Sequence, residues 1–177
     1  MNIQALRNQV RVWLVIFIVG LLLSGITAFP LEWELSLLNG LVNGPGSPLP
    51  ALWPAMAAWI AWVNEGIQNT AGQYPFIAYG TDWLAFAHIV IAIAFWGPLN
   101  DPVKNIWVIE WGMMACVLVI PLTLICGPIR QIPFFHQLID CSFGAFGIIP
   151  LWICRNTIQQ IARMETWPGD FRATQGN

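Results

Sequence analysis

The sequence predicts an all-α integral membrane protein. It places four transmembrane helices at about 12–29, 82–97, 102–127 and 133–154, with an amphipathic or re-entrant segment at about 31–67 on the extracytoplasmic side. Three observations carry this. First, 57% of the 177 residues are hydrophobic and 9% are charged, where soluble domains carry about 25% charged residues. Second, long uncharged runs alternate with clusters of proline, glycine and charge. Third, the basic residues fall almost entirely on one side of the spans those runs define.

The first span follows Arg7 and Arg11 as an uncharged run of 18 residues, Val12 to Phe29, long enough to cross hydrocarbon at about 1.5 Å per residue. The run exceeds the apolar core of a signal peptide and ends in ITAFP, which lacks an A-x-A-like cleavage site, so a retained anchor is expected. Gly20, Ser24 and Ala28 recur every four residues, a small-residue ridge suited to close helix packing.

Residues 30–81 hold the NGPGSPLP cluster together with Pro30, Pro54 and Pro75, yet they are not polar. Leu31, Leu35, Leu38 and Val42 sit at helical spacing, and so do Leu52, Met56, Trp59, Ile60, Val63 and Ile67. Two glycines and three prolines divide the uncharged run from Ser36 to Asn64, so neither half spans alone. Trp33, Trp53, Trp59 and Trp62 fit the headgroup level, where an indole keeps its N–H in reach of water. A cap on the bundle's outer end and a surface for lipid or a partner are both consistent with this pattern.

Thr81 and Asp82 supply helix-start chemistry for the second span, and Gly97-Pro98 reads as its stop. Asn100-Asp101-Pro102 reads as an N-cap followed by proline at the first position of the third span, which ends at Gly127-Pro128 and contains Pro121. The fourth span begins at Pro133, contains Pro150 and gives way at Arg155 to a more polar continuation. Residues 1–163 are expected to form one membrane-embedded bundle, with a polar tail at 164–177. Four spans with both termini cytoplasmic place Arg7, Arg11, Lys104, Arg155, Arg163 and Arg172 inside and Arg130 alone outside, in keeping with the positive-inside rule. The style of the chain points to a bacterial inner membrane.

Charged and titratable groups within apolar segments are the functional candidates, because charge in hydrocarbon is costly unless it is partnered. His136 and Asp140 lie four residues apart on one helical face. Counting inward from the outer ends, His88 and Asp140 reach similar depths, roughly 10 Å. With Asp82, Arg130 and His136 they compose an expected outer-leaflet polar cluster. Glu110 is the sole charge inside the third span, and Arg155 is its expected partner from the cytoplasmic side.

Each candidate also has a structural role available to it. Asp82 suits the positive end of a helix, Arg130 suits an interfacial anchor, and a His88–Asp140 contact is ordinary glue between helices. Cys116, Cys126, Cys141 and Cys154 lack C-x-x-C spacing, which argues against a zinc knuckle and favours inert thiols, although Cys126 and Cys141 share one end of their spans.

The sequence therefore favours a non-enzymatic accessory, assembly or structural subunit of a membrane complex. Its expected partners are the bilayer, other membrane subunits or a second copy of the chain. A net charge of −2 leaves no basic face for nucleic acid. Three alternatives keep a place. One is a haem- or quinone-binding electron-transfer subunit with His88 and His136 as axial ligands. Another is a metal site built from His88, His136 and Asp140, a set compatible with zinc. The last is a proton-coupled small transporter with Glu110 and the outer polar cluster as alternating gates. No H-E-x-x-H motif, serine-base triad or phosphate-binding glycine loop occurs.

Overall fold

The computed structural model describes residues 2–165, so most of the polar tail and the expected cytoplasmic Arg172 lie outside the described residues. Among the described residues there are helices and turns and no strand. The helices are α1 (Ile3–Ala28), α2 (Leu31–Asn43), α3 (Leu49–Leu52), α4 (Pro54–Gln73), α5 (Tyr79–Ala94), α6 (Trp96–Asn100), α7 (Ile106–Ile129) and α8 (Phe134–Glu165). Four stretches are long and apolar enough to cross a membrane: Ile3–Ala28, Pro75–Asn100, Ile106–Ile129 and Phe134–Glu165. The protein is an all-α membrane protein of the predicted class.

The described residues form two compact units, one from residues 2–19 and 93–165, the other from residues 20–92. In the first, α7 and α8 pack along their lengths as an antiparallel pair. Small residues set how closely they approach. A Cβ at Gly144 would press into the carbonyl oxygen of Cys116, and one at Gly112 would stand 2.7 Å from Phe95 Cζ and 3.0 Å from Leu151 Cδ1. The turn between the two helices is closed by Gln131, whose φ of 59° puts it in the left-handed region. That conformation lets Arg130 N–H donate to Cys126 O at 3.0 Å and Ile132 N–H to Gly127 O at 2.9 Å, which satisfies the last carbonyls of α7.

The first part of α1 completes this unit. Leu6, Val10 and Leu14 are fully buried, as are Leu151, Ile158 and Ile161 of α8. Cys154 donates its S–H to Val10 O at 3.7 Å, and Arg7 pairs with Glu165 at 2.7 Å. Phe95 fills the centre with its ring 4.8 Å from Phe17, centroid to centroid.

In the second unit α2 and α4 lie against each other as a helical hairpin, with α3 in the connection. Amide side chains clamp its two ends. Gln68 Nε2 donates to Glu32 O at 2.9 Å, while Asn43 Nδ2 donates to Ala57 O at 3.1 Å and to Asn39 Oδ1 at 2.8 Å. Val42 and Ala57 are buried in the seam. The last turns of α1 meet α5 at Gly25, where a Cβ would stand 2.9 Å from Ala85 O and 2.9 Å from His88 Cβ.

Five expectations shift against this architecture. The second span begins at Pro75 because proline opens a 3-10 turn, Pro75–Ala78, that leads straight into α5. Gly97-Pro98 does not end it, because Pro98 sits in the first turn of α6, where its missing N–H is not needed. Asn100-Asp101-Pro102 forms a corner instead of a helix start. Asp101 Oδ1 accepts from Lys104 N–H at 3.1 Å, Asn105 Nδ2 donates to Gly97 O at 3.2 Å and to Asp101 O at 2.9 Å, and α7 starts after Asn105. The fourth helix continues past Cys154 to Glu165, since burial of Thr157, Ile158 and Ile161 sustains it beyond the apolar run. The predicted ridge on α1 also turns out differently: Gly20 has nothing within 4 Å of a Cβ position, and Gly25 is the glycine used for close approach.

Candidate functional site

Inside the spans, α7 and α8 carry Glu110 and Arg155 to the same level. Gly112 against Leu151 and Cys116 against Gly144 fix the register of the two helices. One turn further along that register, Arg155 Nε donates to Glu110 Oε1 at 2.9 Å. This is a charge-assisted hydrogen bond of ordinary length. Arg155 is 35% exposed and Glu110 44%, so the pair sits on the flank of the helix pair and not in its seam.

Gln159 stands one turn beyond Arg155 on α8. With its amide oxygen turned toward the guanidinium, it accepts from both terminal nitrogens of Arg155 at 3.2 Å. The arginine is thus held from both sides, by a carboxylate on the neighbouring helix and an amide on its own. Arg155 and Gln159 are i and i+4, a spacing visible in the sequence once the helix is known to run past Arg155.

The expected outer-leaflet cluster is distributed over the two units. Arg130, His136 and Asp140 belong to the first. Arg130 caps the end of α7 and is exposed. His136 Nε2 lies 3.9 Å from Asp140 Oδ1, both side chains being 40% exposed. That separation is too long for a hydrogen bond and acts only when the imidazole is charged. Asp82 and His88 belong to the second unit. Asp82 is in the first turn of α5, where a carboxylate complements the helix dipole. His88 has its Nδ1 2.8 Å from Leu84 O and its Cβ beside Gly25. Among the described residues, no group of three or more His, Cys, Asp and Glu side chains is placed to hold a metal ion. All four cysteines are free thiols.

Gln137 and Gln159 both escaped the sequence reading. Gln137, in the first turn of α8, is buried and donates to Ile132 O at 2.7 Å, with its stem packed over Gly127. It locks the α7–α8 turn. Nothing in the local sequence separates it from an exposed glutamine beside His136, because its burial depends on a glycine ten residues earlier on another helix.

These side chains do mechanical work: they fix one helix to another and close the turns between them. Fold and site together define an all-α membrane protein with four stretches long and apolar enough to span, in which Glu110 and Arg155 join α7 to α8. No protein-family model, no curated protein sequence and no solved structure matches the chain.

Proposed function

We propose that this protein is a non-enzymatic accessory or assembly subunit of a larger membrane complex. The observation that carries the reading is the α2–α4 hairpin, which is not among the stretches long and apolar enough to span yet keeps Trp33, Leu37, Leu41 and Trp62 half or more exposed. Large apolar side chains gathered outside the spanning helices mark a surface meant to be covered. In this reading the chain resides in a bacterial inner membrane with both termini cytoplasmic. Arg7, Arg11, Lys104, Arg155, Arg163 and Arg172 then face the cytoplasm, and the hairpin faces the other side. Its partners are the bilayer and other membrane subunits. Glu110 with Arg155 and Gln137 with the α7–α8 turn hold α7 and α8 in register.

The test is the size of the protein in its own membranes after extraction with a mild detergent. The subunit reading expects migration in a native gel well above that of one detergent-bound chain, with at least one different polypeptide in constant ratio. Migration as a single chain would overturn it.

A further inference from the structure

We infer that the outer face of α2 seats an amphipathic helix of a partner subunit, one whose apolar stripe is flanked by lysine or arginine. This rests on the subunit reading above and names the chemistry of the contact. Trp33, Ser36, Leu37, Gly40 and Leu41 recur at i, i+3, i+4, i+7 and i+8 and line a shallow groove of about 330 Å³. They lie on the side of α2 opposite Val42, which is buried in the hairpin seam, so the helix is apolar on two faces and only one is used within its unit. Trp33 is 64% exposed and Leu41 66%. Between them Gly40 has nothing within 4 Å of a Cβ position, a notch into which a large side chain or a second helix can settle. The clamps from Gln68 to Glu32 O and from Asn43 to Ala57 O hold α2 at both ends, so the groove is preformed.

Charge selects the occupant. At about 100° per residue, Glu32 and Glu34 fall roughly a right angle to either side of the stripe, one on each flank. Residues 20–92 contain Glu32, Glu34, Glu65 and Asp82 and no lysine or arginine. A second copy of α2 is a poor match. Side by side in parallel, the two sets of glutamates oppose each other, and in antiparallel they meet the negative end of the partner's helix dipole, with no cation in this unit to offset either arrangement. An anionic lipid surface is also a poor match, because helices that lie on such surfaces flank their apolar face with lysine and arginine. A partner helix with basic flanks satisfies the apolar groove and both carboxylates together.

The test places the photo-crosslinking residue p-benzoylphenylalanine at position 37 of the full chain in its own membranes and maps the adduct by mass spectrometry. The proposal expects the main adduct on a helical segment of another protein with Lys or Arg three or four residues from the linked position. It also expects the yield to fall at least fivefold in Glu32→Lys/Glu34→Lys. Gly40→Leu, which fills the notch without touching the fold or the charge, is expected to lower the yield as strongly. Adducts on phospholipid or on a second copy overturn the proposal, and so does a yield that ignores the charge reversal and the filled notch. A chain that migrates in a large native complex but links only to lipid removes this docking site and leaves the subunit reading standing. A chain that migrates alone removes both.

Discussion

Replacing Gly144 with alanine adds one methyl group at the point where α8 comes nearest to α7. The carbonyl oxygen of Cys116 occupies that space, and it belongs to backbone, which cannot rotate away as a side chain would. The helices must separate, or the carbonyl must tilt out of its own helical bond. Overpacking of this kind costs about 1–3 kcal/mol. Gly20→Ala is the matched control, since nothing lies within 4 Å of its Cβ position and the change gains up to about 1 kcal/mol of helix propensity. Gly144 lies inside a helix too and gains the same propensity, so the two alanine variants should differ by the overpacking cost, about 1–3 kcal/mol in the same assay. Reversible unfolding in mixed micelles of increasing SDS fraction, followed by tryptophan emission, provides the measurement. A Gly144→Ala protein as stable as Gly20→Ala would refute the close α7–α8 crossing, and with it the register that brings Arg155 to Glu110.

Other outcomes follow from the same contacts. Glu110→Gln removes the charged partner of Arg155 and, with both side chains more than a third exposed, is expected to cost about 0.2–1 kcal/mol, with a coupling of similar size to Arg155→Gln in a double-mutant cycle; strict additivity would mean the pair contributes nothing. Gln137→Ala strips a buried donor from Ile132 O and is expected to cost about 1–3 kcal/mol, and hydrogen exchange should show the 130–133 turn opening first. Gln131→Gly relieves a left-handed non-glycine residue and is expected to stabilise by up to about 1 kcal/mol in the same SDS titration, where a loss would contradict the turn geometry.

Much of the fold was legible because the bilayer imposes length and apolarity on every span, and runs such as Val12–Phe29 report both directly. The Glu110–Arg155 contact was legible for the same reason. Each side chain is charged and close to the same end of its span, and matching depth on adjacent helices is enough to pair them. What escaped depends on geometry that no local pattern records. Pro75 and Pro98 look like breaks, but the first turn of a helix accepts proline, so both sit inside the second spanning stretch. Arg155 looks like an exit from the membrane, yet α8 runs on because Ile158 and Ile161 find a buried face. The Gly20, Ser24 and Ala28 ridge had the right spacing for packing, but Gly25 stands on the face of α1 that α5 meets. Gln137 and Gln159 were invisible as site residues because an amide gains its role from partners elsewhere: Gly127 and Ile132 for the first, the guanidinium of Arg155 for the second.

Four spans with both termini inside put the α2–α4 hairpin on the opposite side of the membrane from residue 2. Single cysteines placed at Ser47, between α2 and α3, and at Asn2, ahead of α1, can be probed in sealed cells of the native host with a membrane-impermeant maleimide, in a background where the four native cysteines are serine. Labelling at position 47 in intact cells, with position 2 labelled only after permeabilisation, is the predicted result. Labelling at position 2 in intact cells, or equal protection of both sites, would contradict four spans with a hairpin displayed on the outer side.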